Sequence, residues 1–139
     1  MRVNRTELTP LLFFERAARV YAGRTAVVYG ERRFTYEQLG HRIRQLATAL
    51  RRAGLERGDR VAFLAPNVPA LLEAHFGVAL AGGVLVAINT RLNADEIGYI
   101  LGHSGARFFF ASNASMRWSS RKRWWQCRHS TSGSVKVAT

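Results

Sequence analysis

The sequence predicts an α/β protein with a partial parallel sheet, flanking helices and an N-terminal β-hairpin. Three short apolar segments carry this prediction, at residues 61–65, 84–88 and 106–110. Segments with helical character separate them, at 69–81 and 93–101. Continuously apolar strands that alternate with helices are typical of parallel sheets that are covered on both faces and joined by right-handed crossovers.

A first helix is predicted from its cap and its spacing. Thr9 precedes Pro10, an arrangement common at helix N-termini, and apolar residues then recur at helical intervals as far as Gly23. The recurring apolar residues are Leu12, Phe13, Ala17 and Val20.

A hairpin and a long helix are predicted next. The β-prone runs 25–29 and 33–36 are joined across a Gly-Glu pair, which suits a tight turn. Thr35 and Gln38 have the spacing of a capping box, so a helix is expected to begin there. The predicted buried face of this helix contains Leu39, Ile43, Leu46, Ala47 and Leu50. Off that face lie Arg42, Arg44, Arg51 and Arg52, which we predict to be solvated rather than to form an anion site.

Glycines and cap residues mark the limits of the later elements. Gly54 and Gly58 bracket the turn into the first apolar strand. Asn93 and Glu96 form a second cap-like pair, and Gly102 is predicted to end the helix that they begin. Each predicted strand of the sheet is therefore preceded by residues that favour a turn.

Ligands of open parallel sheets bind beyond the carboxyl ends of the strands. Function is therefore expected to concentrate in the loop at Pro66 and Asn67, in the loop 89–91, and in the segment after Phe110. Arg91 is the best candidate in these loops for binding an anion.

The motifs of familiar nucleotide, catalytic and metal sites are absent from the sequence. Neither Lys122 nor Lys136 follows a glycine, and no Gly-x-Gly-x-x-Gly occurs at a predicted strand-to-helix turn. The run 102–105, Gly-His-Ser-Gly, is predicted to be a helix C-cap turn rather than a nucleophile elbow. The four histidines lack metal-ligand spacing, and His75 is predicted to be a hydrogen-bonded core residue. We therefore assign no catalytic, cofactor-binding or metal-binding residue.

The composition divides the chain near residue 112. The formal net charge is +12, of which residues 1–115 contribute +6 and residues 116–139 contribute the other +6. All three tryptophans, both lysines and the single cysteine also lie in 116–139. We therefore predict one domain over 1–112 and a basic tail over 113–139 that is disordered or out of frame.

Four sequence elements, in order, carry a resemblance to a known family. They are FTYEQL at 34–39, GDRV at 58–61, PN at 66–67 and AGGVLVAINTRL at 81–92. With this spacing the chain resembles, from about residue 8 to 110, the N-terminal region of the AMP-forming acyl-CoA synthetases of the adenylate-forming ligase superfamily. The resemblance implies the incomplete N-terminal subdomain of an AMP-dependent synthetase/ligase.

That resemblance implies a two-step parent reaction. A carboxylic or fatty acid and ATP give an acyl-adenylate and pyrophosphate, and coenzyme A then displaces AMP to give the acyl-CoA. ATP, Mg²⁺ and coenzyme A are the implied cofactors of the full-length family, and none is expected for the fragment. The family's Thr-Ser-Gly-Thr-Thr-Gly-x-Pro-Lys-Gly loop lies downstream of the matched region, and the run 131–136 lacks its second glycine and its proline. We therefore expect a truncated ligase that is inactive alone.

The basic tail supports a different function as the alternative. In a small binding module, its arginines and lysines would contact the phosphates of nucleic acid or another anionic partner, while its tryptophans stack on bases. Packing of the tail into the core is a further possibility. The abrupt change in several residue types favours a shifted reading frame or a truncated gene over both, so nucleic acid is the less favoured partner.

The remaining expectations concern location and assembly. The apolar runs are too short for a signal-peptide core or a transmembrane segment, and the single cysteine excludes an internal disulfide, so a cytoplasmic location is expected. A partial sheet leaves an edge and a face uncovered, and such surfaces promote self-association.

Overall fold

The computed structural model describes residues 9–112 and the backbone of residues 136–138. The elements are α1 (Pro10–Val20), β1 (Thr25–Tyr29), β2 (Arg32–Thr35), α2 (Tyr36–Arg52), β3 (Arg60–Leu64), α3 (Pro69–Ala81), β4 (Val84–Ile88), α4 (Ala94–Ser104), β5 (Phe108–Ala111) and β6 (Lys136–Ala138). This alternation of strands and helices confirms the predicted α/β class.

A parallel sheet in the order β4-β3-β5-β6 forms the centre of the fold. Val61 of β3 lies opposite Leu85 of β4 on one side and opposite Phe108 of β5 on the other. Lys136 of β6 lies opposite the same residue, Phe108, on its far side. β1 and β2 form a separate antiparallel pair. The predicted parallel pairing of the three apolar strands and the predicted hairpin are thus both confirmed.

Helices cover both faces of the sheet. On one face, Val61 and Phe63 of β3 belong to a core cluster with Leu50 of α2 and Val78 of α3. On the other face, Ala62 belongs to a second cluster with Ile88 of β4 and Ile97 of α4. Successive residues of β3 are therefore buried on opposite sides, which explains why this strand is continuously apolar.

Both predicted capping boxes form. The Thr35 hydroxyl accepts a hydrogen bond from the Gln38 N–H at 3.2 Å, and the Gln38 side chain accepts one from the Thr35 N–H at 2.9 Å. Asn93 and Glu96 make the equivalent pair of bonds at 3.0 and 2.8 Å. Because each box satisfies backbone donors at a helix start, α2 and α4 begin where the sequence predicts.

The prediction that Gly102 ends α4 is wrong. The helix continues to Ser104, and Gly105 adopts the left-handed conformation with φ of 60°. The N–H groups of Gly105 and Ala106 donate to the carbonyls of Gly102 and Leu101 at 3.2 and 3.4 Å. These bonds close the last turn of the helix. Ala106 is used in this closure, so β5 begins two residues later than predicted.

The predicted first helix is present as α1, with Thr9 as its N-cap. No residue of α1 is fully buried, and the helix is rotated so that Phe14 faces the core. The Phe14 ring lies 5.0 Å from the ring of Phe76 in α3. Of the apolar residues that recur at helical intervals, Leu12, Phe13 and Val20 are exposed. The consecutive Leu-Leu and Phe-Phe pairs offer two overlapping apolar faces, and contact with α2 and α3 selects one.

Candidate functional site

The carboxyl ends of β3, β4 and β5 meet at one edge of the sheet, here called the carboxyl edge. The three strands end at Leu64, Ile88 and Ala111. Beyond them, the Ser112 N–H donates to the Leu64 carbonyl oxygen at 3.0 Å, so β3 and β5 stay adjacent past their last paired residues. The loops predicted to carry function therefore leave the sheet on the same side.

The strand order reverses at β3. The chain passes from β3 outward to β4 and then returns across β3 to β5, so the successive crossovers run in opposite directions. In open parallel sheets, the crevice at the carboxyl side of such a reversal is the usual ligand site. The loop 65–68 and Ser112 border that crevice, and this position is the candidate functional site.

Arg91 supplies the cation of the carboxyl edge. The Asn89 side-chain oxygen accepts a hydrogen bond from the Arg91 N–H at 3.0 Å, which fixes the turn after β4. The Arg91 side chain is exposed, and within residues 9–112 it has no ion-pair partner. A guanidinium in this state can pair with a carboxylate or with one phosphate group.

The donors at the carboxyl edge do not fit a magnesium-triphosphate group. Arg91 is the one basic residue among the loops 65–68 and 89–93, and neither loop contains an acidic residue. Among the described residues, no three His, Cys, Asp or Glu side chains come together as a set of metal ligands. The described part of this edge therefore offers a cation for a single anionic group.

Two of the four arginines predicted to be solvated also attach α2 to α3. Arg42 pairs with the buried carboxylate of Glu73 through two contacts, at 2.6 and 3.3 Å. Arg51 donates to the carbonyl groups of Leu80 and Ala81 at the end of α3. All four arginines are exposed, as predicted, and the sequence did not indicate the partners of Arg42 and Arg51, which lie about 30 residues along the chain.

A polar cluster occupies the opposite edge of the sheet. The buried carboxylate of Asp59 accepts hydrogen bonds from the Arg107 side chain at 2.5 Å and from the Glu56 N–H at 2.8 Å. Arg60 donates to the carbonyl groups of Ser104 and Gly105 at 2.8 and 3.1 Å, at the end of α4. These groups satisfy one another, so the cluster serves the fold rather than a ligand.

His75 and Ser104, the two catalytic candidates that the sequence set aside, each hydrogen-bond to a carbonyl of their own helix. His75 lies in α3 with Nδ1 2.7 Å from the Leu71 carbonyl oxygen, so the predicted hydrogen bond is present. The prediction that His75 is a core residue is wrong, because its side chain is exposed. Ser104 donates from its hydroxyl to the Leu101 carbonyl at 3.3 Å within the predicted C-cap turn.

The tail predictions lie outside the described residues, apart from the backbone of 136–138. The domain boundary at 112, the disorder of the tail, its origin in another frame and its contact with nucleic acid therefore stay predictions. Of the helices in the described ranges, none combines the length and the apolar content needed to cross a bilayer.

The sequence matches proteins of one enzyme family. The family model described as AMP-binding enzyme matches residues 14–136, a range that contains all four sequence elements. An acetate-CoA ligase of Humulus lupulus is 53% identical over 103 residues, which cover 74% of this chain and 18% of the relative. A 4-hydroxybutyrate-CoA ligase of Metallosphaera sedula is 48% identical over 101 residues, which cover 73% and 18%. The chain thus spans less than a fifth of the length of these relatives.

Solved structures agree with the fold. A putative long-chain-fatty-acid CoA ligase from Rhodopseudomonas palustris superposes with a TM-score of 0.75 and 34% identity, covering 79% of this chain and 28% of that chain. The N-terminal subdomain of NpsA from Klebsiella oxytoca, in complex with 3-hydroxyanthranilyl-AMSN, superposes with a TM-score of 0.69 and 26% identity. That superposition covers 73% of this chain and 26% of the subdomain.

Proposed function

This chain belongs to the AMP-binding enzyme family, and from that membership we propose that it forms the N-terminal part of an acid-CoA ligase. The family match over residues 14–136 is the observation that carries the proposal. In the parent reaction, a carboxylate oxygen attacks the α-phosphate of ATP, which releases pyrophosphate and leaves an acyl-adenylate. The sulfur of coenzyme A then attacks the acyl carbon and releases AMP. Mg²⁺ neutralises phosphate charge in such reactions.

Within that reaction we assign this chain a supporting role. β3 and β5 present the crevice at the carboxyl edge, and Arg91 would pair there with one phosphate or carboxylate group. Neutralising a triphosphate and aligning it for attack need several preorganised donors. A single arginine does not supply them, so we propose that this chain does not catalyse adenylation by itself.

The substrate class of the parent reaction is proposed from the relatives. The names of the two relatives described above refer to acetate and 4-hydroxybutyrate, which are both small carboxylic acids. The two relatives are named for different acids, although over the matched region they are 53% and 48% identical to this chain. We therefore propose a small carboxylic acid as substrate. A cytoplasmic location remains our proposal, although a related acetate/butyrate-CoA ligase of Arabidopsis thaliana is named as peroxisomal.

The chain alone is expected to give no carboxylate-dependent exchange of radiolabelled pyrophosphate into ATP. Its only lysines are Lys122 and Lys136, and no acidic residue follows Glu96, so it lacks groups to neutralise triphosphate and support magnesium. By contrast, a chimera in which residues 9–112 replace the matching region of the Humulus lupulus ligase is expected to retain exchange with acetate. Both proteins are measured with acetate, butyrate, benzoate and longer fatty acids.

Two results would contradict these expectations in different ways. Exchange by the purified chain, lost when residues 113–139 are removed, would show that the chain carries adenylation activity. A folded chimera without activity would instead show that residues 9–112 do not serve as the N-terminal part of such a ligase.

The chain is also expected to self-associate as its concentration rises. β4 borders the sheet, and Val84 at its start is 50% exposed. An unpaired strand edge presents backbone donors and acceptors that another chain can pair with. Sedimentation velocity over a range of concentrations measures the association, and Val84→Lys is expected to reduce it. A monodisperse monomer at high concentration would argue against this proposal.

A further inference from the structure

A groove runs between α1, the start of α2 and the middle of α3, and we call it the α1 groove. Its volume is about 540 Å³, within the range of roughly 300–1,000 Å³ typical of small-molecule clefts. The wall is almost entirely apolar, and one of its members, Phe13, is 62% exposed. The main lining residues are Pro10, Phe13, Phe14, Ala17, Tyr36 and Phe76.

Arg44 of α2 lies beside this groove. Its Nη1 is 3.3 Å from the position that a Cβ on Gly40 would take, and the edge of the Phe14 ring is 3.7 Å from the same position. The guanidinium and the aromatic wall are therefore neighbours, separated by a residue without a side chain. Arg44 is exposed, and among residues 9–112 no carboxylate forms an ion pair with it.

We propose that the α1 groove binds a free amphipathic carboxylate, with its hydrocarbon chain against the aromatic wall and its carboxylate on Arg44. Burial of the chain removes apolar surface of both ligand and groove from water. The planar guanidinium can donate hydrogen bonds to both oxygens of the carboxylate. This site shares no residue with the carboxyl edge and does not depend on the proposed ligase function.

A single amphiphile fits this surface better than a lipid bilayer. Binding to a bilayer requires a helix with a continuous apolar face. The outward side of α1 instead has Arg16 and Arg19 among its exposed apolar residues. The continuous apolar surface lies in the groove, where one hydrocarbon chain can lie against the aromatic side chains.

Titration of the full chain with octanoate, below its micelle-forming concentration, tests the proposal. Amide resonances of Phe14 and Gly40 are expected to shift saturably, with a Kd on the order of millimolar because few ligand atoms are buried. Acetate lacks the chain and octanol lacks the charge, so both are expected to bind more weakly. Arg44→Gln is expected to raise the Kd for octanoate about 3–5-fold, as for other exposed ion pairs. Phe13→Ser is expected to raise the Kd for both octanoate and octanol.

The control variant is Arg52→Gln, which removes an exposed arginine at the other end of α2 and is expected to leave the Kd unchanged. If Arg44→Gln and Arg52→Gln raise the Kd for octanoate equally, the effect is general charge attraction and the proposal is wrong. Equal affinity for octanol and octanoate, shifts confined to residues 89–93, or binding only to lipid vesicles would each overturn it too. Circular dichroism establishes whether each variant is folded. If Phe13→Ser does not fold, the result for Arg44→Gln decides the question, because Arg44 is exposed and its substitution should leave the fold intact.

Discussion

Leu50→Ala is expected to lower the free energy of unfolding by about 2–5 kcal/mol, the range measured when a buried leucine is truncated and a cavity remains. Leu50 is 2% exposed and packs in the cluster that joins α2, α3 and the central strand β3. Small domains have a total stability of about 5–15 kcal/mol. A loss of this size would therefore remove a large share of the stability of residues 9–112.

Leu72→Ala is the matched control, because the same atoms are removed from a leucine of α3 that is 37% exposed. We expect it to cost less than about 1 kcal/mol, as do most substitutions away from the core. Urea denaturation followed by circular dichroism measures both variants. If the two variants unfold at the same urea concentration, the described packing of α2 on β3 is incorrect.

Gly77→Ala is expected to destabilise the protein by about 1–2 kcal/mol, although alanine favours a helix more than glycine does. A Cβ at this position of α3 would lie 2.8 Å from Cδ2 of Leu46 and 3.2 Å from its Cβ. The short distance to Cβ matters most, because moving that atom requires α2 itself to move. Gly77 thus allows the close approach of α2 and α3.

Gly98→Ala is the control for this effect, since Gly98 also lies inside a helix and, apart from its own helix backbone, no atom of the described residues lies within 4 Å of its added Cβ. We expect it to stabilise the protein by about 0.5–1 kcal/mol through helix propensity. The double variant Gly77→Ala, Leu46→Ala tests the clash directly: it should be more stable than the sum of the two single effects predicts. Opposite signs for the two glycines support the described contact, and stabilisation by both would refute it.

The contact between α2 and α3 connects these stability effects to the candidate site. α3 follows the loop 65–68, and its position on α2 determines where that loop leaves the carboxyl edge. Arg42 and Arg51 of α2 reinforce the contact through Glu73 and the last carbonyls of α3. Residues that bind no ligand therefore set the geometry of the crevice between β3 and β5.

The sequence was sufficient where neighbours along the chain decide the structure. Thr35 with Gln38, and Asn93 with Glu96, define helix starts because a capping box involves residues only three positions apart. The continuous apolar character of β3 predicted a strand buried on both sides, since every side chain in it needs an apolar environment. The four sequence elements likewise identified the family, because each is a local string.

Tertiary structure decided whatever depends on distant partners. Phe14 rather than Phe13 faces the core because Phe76 lies against it, and helical spacing alone allows both. Glu73 is buried because Arg42 reaches it from another helix. Arg60 contacts the end of α4 from 45 residues away, where Gly105 supplies the left-handed turn.

The candidate site shows the same division. The sequence predicted which loops contribute to it, but the strand order β4-β3-β5 determines that the crevice lies between β3 and β5. Local strings encode backbone propensity and apolarity, whereas strand order and helix rotation depend on packing between residues far apart in the chain.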